Sequence, residues 1–170
     1  MLNSTTMIDK KKLEILDILS RDSRTDAETI ATMTGLSAEQ VREVIADFEK
    51  RGIIKQYTVT IDWEKAGVDK IVAYIDVKVV PAREVGFDAV AMRIARHSEV
   101  RSAALVSGGN DLRVVIETTH MNELAKFIAE KVATIDGVAG TSTHFLLRKY
   151  KDDYTLFEEP EVDTRLVVTP

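Results

Sequence analysis

The chain has 170 residues, 45% hydrophobic and 30% charged, with a formal net charge of −5, a balance that fits a globular protein and excludes a disordered or collagen-like one. With no cysteine, disulfides, thiolate metal sites and a cysteine nucleophile are excluded, and the acidic balance argues against a general polyanion binder, whose affinity comes from Lys and Arg neutralising phosphates. The opening Met1-Leu2-Asn3-Ser4-Thr5-Thr6 lacks the basic and apolar regions of a signal peptide, and no apolar run reaches bilayer-spanning length, so a cytoplasmic location away from membranes is expected.

Ile8, Leu13, Ile15, Leu16 and Leu19 recur at helical spacing, with Asp9, Lys12 and Asp17 between them, which predicts a first helix. Residues 20–24 then break the pattern. Thr25-Asp26-Ala27-Glu28 has the form of a capping box, in which the Thr25 hydroxyl accepts from the Glu28 N–H and the Glu28 carboxylate reaches back. A short helix with Ile30, Ala31 and Met33 inward is expected to follow. Gly35 closes it, because glycine tolerates the left-handed conformation of a helix stop. Ser37-Ala38-Glu39-Gln40 is a second capping box. It opens a helix with Val41, Val44, Ile45 and Phe48 on one face, ending at Gly52. Residues 53–60 are rich in β-branched side chains and predict a strand. Residues 62–67 read as a turn-rich connection near a domain boundary.

Beyond that boundary the elements alternate. Residues 70–80 predict a strand stopped by Pro81. Residues 86–96 predict a helix with Phe87, Val90, Ala91 and Ile94 inward. Strands are expected at 100–106 and 111–118, joined by the turn Ser107-Gly108-Gly109-Asn110. A helix at 122–135 buries Leu124, Phe127, Ile128 and Val132, and a last strand covers 138–149. The β-α-β-β-α-β order is the ferredoxin-like arrangement, with both helices on one face of a four-stranded antiparallel sheet. Ile71, Ala73, Ile75, Val77 and Val79 alternate with Val72, Tyr74 and Val80, so both sheet faces read as apolar. The uncovered face then needs a partner, most simply a second copy. The tail from Asp152 is acidic, then apolar at Leu166-Val167-Val168, suited to an edge strand or to packing on a neighbour. The fold class expected is α+β: an N-terminal (winged) helix-turn-helix and a C-terminal ferredoxin-like βαββαβ domain.

Two helices joined by a tight glycine-containing turn form a DNA-binding element. Ala31 is small where the helices cross, Gly35 permits the turn, Leu36 seals it, and Val41 plugs the angle. The second helix then offers its N-terminal part to the major groove. Eliminating its buried face leaves Ser37, Ala38, Glu39, Arg42, Glu43 and Ala46. Arg42 is the best candidate for a base contact, while Glu39 or Glu43 could accept from a cytosine amino group or stay solvated. Lys10, Lys11, Lys12, Arg24, Lys50, Arg51 and Lys55 are candidate phosphate contacts, Arg24 lying just ahead of a helix N-terminus that can itself face phosphate. Between Ser37 and Gly52, four acids (Glu39, Glu43, Asp47, Glu49) stand against three bases (Arg42, Lys50, Arg51), a weak footprint for a DNA reader. The alternative is a helical hairpin with no DNA role.

Several segments match one family in order. They are Ile8-Asp9-Lys10-Lys11-Lys12-Leu13-Glu14-Ile15-Leu16, then Leu36-Ser37 through Glu49-Lys50-Arg51-Gly52-Ile53-Ile54, and Tyr57. Val106-Ser107-Gly108-Gly109-Asn110-Asp111 follows, and finally Asp136-Gly137-Val138 with Thr141-Ser142-Thr143. Over about residues 8–150 the chain resembles the leucine-responsive regulatory protein / AsnC family of bacterial and archaeal regulators. The resemblance implies a sequence-specific regulator of transcription that dimerises through its C-terminal sheets and assembles further, up to octamers. It also implies an amino-acid effector bound between subunits near the 107–111 loop. Carried onto this chain, the effector residues are Gly108, Asp111, Thr141 and Thr143, with Gly109 and Asn110 completing the loop. A glycine-bearing loop offers backbone N–H groups to a carboxylate, and an acidic side chain can pair an α-ammonium. Gly109 stands where the family has an acid and Asn110 where it has an aromatic.

The expected organisation is a helix-turn-helix domain at 1–60, a linker at 61–69, a ferredoxin-like effector-binding and oligomerisation domain at 70–151, and a tail at 152–170. Double-stranded DNA, a small-molecule effector and further copies of the chain are the expected partners. No cofactor or metal is expected, since His97, His120 and His144 fall in different elements without ligand spacing. Trp63 is expected to pack at the domain junction. Two readings compete: a ligand-binding assembly protein without DNA binding, and an enzyme resembling the siroheme decarboxylases, which look similar in architecture.

Overall fold

The computed structural model describes residues 8–80 and 86–157. Its elements run α1 (Lys10–Arg21), α2 (Ala27–Thr34), α3 (Ala38–Lys50), β1 (Ile71–Val79), α4 (Phe87–Ala95), β2 (Val100–Leu105), β3 (Leu112–Thr118), α5 (Met121–Phe127) with a π-helical continuation (Ile128–Val132), β4 (Val138–Phe145), β5 (Lys151–Asp152) and β6 (Thr155–Leu156). Two compact units result. One holds the residues up to Ile61 together with those from Tyr150 on, and the other holds residues 62–149.

In the first unit each of the three helices sends one fully buried side chain to a shared core: Ile15, Ile30 and Val41. Burying each removes roughly 1.5–3 kcal/mol of unfavourable apolar hydration. The α2 cap differs from the expected box. The helix starts at Ala27, so Asp26 is the capping residue and its carboxylate accepts the Thr29 N–H at 2.7 Å. The Thr25 hydroxyl instead donates to the Asp22 carbonyl at 2.9 Å, and Glu28, one position short of reaching back, is left to other partners. Met33 is also not inward, at 62% exposure, while Thr34 is buried at 6%. The inward stripe is Ala27, Ile30, Ala31 and Thr34, a spacing of three and four that Met33 falls outside. The Thr34 hydroxyl is satisfied by donating to the Ile30 carbonyl at 2.8 Å.

Gly35 ends α2 at φ 67°, and its N–H reaches the Ala31 carbonyl. Ser37 then opens α3 with the capping box expected of it: its hydroxyl accepts the Gln40 N–H at 3.2 Å and its own N–H donates to Gln40 Oε1 at 2.9 Å. Past the end of α3, Gly52 adopts φ 65°. Its N–H reaches the Glu49 carbonyl at 2.9 Å and the Ile53 N–H reaches Phe48 at 2.8 Å, the paired bonds of a Schellman stop. The strand expected at 53–60 is not formed; among the described residues no strand lies between α3 and β1. Its β-branched side chains suit a strand, but a strand also needs a ladder partner.

In the second unit the sheet order is β2-β3-β1-β4, with β1 central and antiparallel to both β3 and β4. Ala73, Ile75, Val77 and Val79 of β1 join Leu112, Val114 and Ile116 of β3 against Val90, Ile94, Leu124, Phe127 and Val132 from the helices. The last strand stops at Phe145 rather than running to residue 149. The opposite face is less apolar than the alternation suggested. Val72, Tyr74 and Val115 are half-buried there, but next along the same face of β1 sits Asp76, 6% exposed.

Candidate functional site

In the first unit, α3 carries Glu39, Arg42 and Glu43 exposed over its first two turns, with Ala38 half-buried and Ser37 exposed but engaged in the cap. These residues share one end of the helix. Lys50 and Arg51 lie at the other end, roughly 18 Å along the axis from Ala38 at 1.5 Å per residue. Arg24 is exposed, and its N–H bonds Asp22 at 2.9 Å. Lys11, expected to be free for phosphate, donates to the Gly35 carbonyl at 3.2 Å.

The basic side chains of α3 are largely committed to acids. Arg51 pairs with Asp47 at 2.9 Å. Arg42 pairs with Glu39 at 3.5 Å and also with Glu28 on α2. Glu49 accepts from the Tyr57 hydroxyl at 2.8 Å; burial first, then the Glu49 carboxylate, pushes the Tyr57 phenol up to about 12. The sequence marked Glu28 as a capping residue and missed its pairing with Arg42. Its partner lies 14 residues away, and only the crossing of α2 and α3 brings the two together.

In the second unit the 107–110 loop joins β2 to β3, with Gly108 at φ 145°. Asp111 is pinned at its end. The carboxylate accepts the Val79 N–H at 2.9 Å and pairs with Lys78 at 3.1 Å. These partners, the Val79 N–H before Lys78, hold its carboxyl below the usual carboxylate range. Gly108, Gly109, Asn110 and Asp111 are thus brought together on the β3 side of β1. Thr141 and Thr143 are not with them. They pair with Val77 and Ile75 from β4, across the width of β1, a separation of roughly 10 Å for two strand spacings.

A third cluster lies on the sheet face opposite the helices. Arg113 forks onto Asp76 through Nε at 2.8 Å and Nη2 at 2.9 Å, and His144 Nε2 stands 3.6 Å from the same carboxylate. Arg113 above all holds the Asp76 carboxyl below its ordinary range. The remaining histidines serve locally: His97 packs edge-on against Phe127 at 5.4 Å, and the His120 N–H bonds Thr118 at 3.1 Å. Trp63 carries the Lys70 ammonium 3.6 Å over its ring. Among the described residues no group of three or more His, Asp or Glu could hold a metal ion, and no helix is long and apolar enough to cross a membrane.

A cavity of about 550 Å³ opens in the first unit between the end of α1, residues 53–60 and the β5–β6 turn. Leu16, Leu19, Tyr57 and Asp153 are among its lining. None of the expected effector residues reaches it.

The family model for winged helix-turn-helix DNA-binding matches residues 8–55, and that for the Lrp/AsnC ligand binding domain matches residues 72–156. The uncharacterized HTH-type transcriptional regulator YugG of Bacillus subtilis is 48% identical over 95% of this chain and 98% of its own. The HTH-type transcriptional regulator LrpA of Pyrococcus abyssi is 32% identical over 85% of this chain and all of its own length (100%). Among solved structures, a Neisseria meningitidis transcriptional regulator in complex with L-Met superposes with a TM-score of 0.66 at 22% identity, over 90% of this chain and 96% of that one. Escherichia coli AsnC gives 0.62 at 21% identity, over 84% and 94%. With its helix-turn-helix in the first unit and its βαββαβ sheet in the second, the chain belongs to the Lrp/AsnC family of DNA-binding transcriptional regulators.

Proposed function

We propose that this regulator binds operator DNA with the N-terminal half of α3 in the major groove and that a small molecule, an amino acid in the simplest case, modulates that binding. Arg42 reads a base, with Ser37, Ala38, Glu39 and Glu43 beside it, while Arg24, Lys50 and Arg51 contact phosphates. The effector sits at Gly108, Gly109, Asn110 and Asp111 of one subunit, with Thr141 and Thr143 completing the site in a homodimer or a larger assembly. The protein acts in the cytoplasm by binding rather than by catalysis. The observation that carries this reading is the capped helix-turn-helix whose α3 leaves Glu39, Arg42 and Glu43 exposed. The relative solved with L-Met supports an amino acid as the effector class.

The test is retention of fragments of the source genome by purified protein at two salt concentrations, with and without an amino-acid mixture. Selective retention that weakens with salt is expected, and a change with the mixture shows that an amino acid is the effector. On a retained fragment, Arg42→Ala should weaken binding by about 1–3 kcal/mol, the worth of a bidentate base contact. No retention at low salt would leave an assembly protein that binds ligand but not DNA.

A further inference from the structure

We propose that Glu28 is a positioning residue for DNA reading, orienting the Arg42 guanidinium toward a base edge. The inference rests on the DNA-binding role of α3 given above. Glu28 does not cap its own helix, since Asp26 makes the α2 cap, and its place in the first turn asks only for a negative charge, not for a partner on α3. It does not pack in the core, its side chain being 65% exposed. What it does is hold Arg42 across the α2–α3 crossing, while Glu39 takes the other terminal nitrogen at 3.5 Å. An ion pair this exposed adds little to folding, about 0–1 kcal/mol. Its consequence falls on the arginine. A free Arg side chain loses rotamer freedom when it docks. One already held in a fork loses less, and donors of its planar guanidinium stay available for guanine O6 and N7.

The carboxylate also acts against the wrong contact. Glu28, Arg42 and Glu39 together carry one net negative charge, so the cluster gains little from phosphate alone. Discrimination is the difference between operator and non-operator binding, and a group that disfavours the second sharpens it. Glu28 therefore makes Arg42 a reader of bases rather than a general phosphate contact.

The experiment measures dissociation constants of the full chain for a retained operator fragment and for its scrambled duplex at one salt concentration. Wild type, Glu28→Gln, Arg42→Gln and the double variant are compared. Glu28→Gln should tighten binding to the scrambled duplex and lower the ratio of the scrambled to the operator dissociation constant about fivefold, the low end of one bidentate contact. Its melting temperature should stay within about 4 °C of wild type. In the Arg42→Gln background the same change should leave the ratio unaltered, because Glu28 then has nothing to orient. Glu28→Asp, which keeps the charge, should recover part of the ratio. An unchanged ratio in Glu28→Gln, alongside a lowered one in Arg42→Gln, would overturn the role of Glu28 and leave the DNA reading intact. An equal fall with and without Arg42 would overturn it too. A wild-type protein that retains no fragment would overturn the DNA reading, and this role with it.

Discussion

Asp76 shows what a single buried charge does in this fold. It follows half-buried Tyr74, itself paired with Val115, on the same face of β1, yet its carboxylate is fully engaged by the Arg113 fork. The folded carboxyl is held below its ordinary range, chiefly by Arg113. Its stabilising contribution is therefore complete above the unfolded value of about 3.9 and is lost as pH falls through the depressed folded value. Asp76→Asn should cost about 1.5–3 kcal/mol at pH 7, the range for a hydrogen bond to a charged group. Arg113, half exposed at 52%, can turn to water, which places the cost toward the lower end. Urea midpoints should show the gap between variant and wild type wide at pH 7 and narrowed at pH 3. A gap that does not change with pH would mean that the pair is not what stabilises the strand. None of this was legible in the sequence, because Asp76, Arg113 and His144 come from three strands and only the sheet register aligns them. Ser37, with its partner Gln40 three residues on, was legible because both halves of its box are local.

The same contrast holds for whole elements. Helices declare themselves in sequence because their hydrogen bonds close within four residues and their caps sit beside them. The α3 boundaries were accordingly legible, from Ser37 at one end to Gly52 at the other. The α2 start slipped by one residue, because Thr25 and Asp26 are both competent caps and only the observed helix start decides between them. Residues 53–60 were misjudged because their strand propensity is local while their pairing would not be. The α3 cap gives a measurable expectation. Ser37→Ala removes the acceptor for the Gln40 N–H and should lower stability by about 1 kcal/mol. That loss should read as a drop in thermal midpoint with the helical signal otherwise native. Ser37→Asp, which restores an acceptor and places a negative charge at the helix N-terminus, should recover it. If alanine is neutral, the turn rather than the cap sets where α3 begins.

At the scale of the molecule, what matters is the sheet face that the helices leave uncovered. The order of elements predicted that face, since both helices of a βαββαβ unit lie on one side. Its chemistry was read as more apolar than it is, because Asp76 and Lys78 share the alternation with Val72 and Tyr74. A face with Tyr74, Val72 and Val115 near its middle and Lys78, Ser102 and Ser142 exposed around them has the apolar centre and polar rim of a subunit interface. Light scattering at micromolar concentration should give at least a dimer mass. Val115→Asp, which sets a carboxylate among these residues and beside the buried Asp76, should shift the protein toward the monomer without loss of secondary structure. The effector response should fall with it. Within one subunit the loop at 108–111 and the threonines at 141 and 143 stand on opposite sides of β1, roughly 10 Å apart for two strand spacings, so a second subunit contributing one set is the arrangement to test. Thermal shift of wild type and of Val115→Asp with the amino-acid mixture separates the cases. A shift in the dimer and none in the monomer places the ligand between subunits. A shift that survives in the monomer would confine the site to one chain, with the Asp111 loop alone holding the ligand and the two threonines serving only the strand.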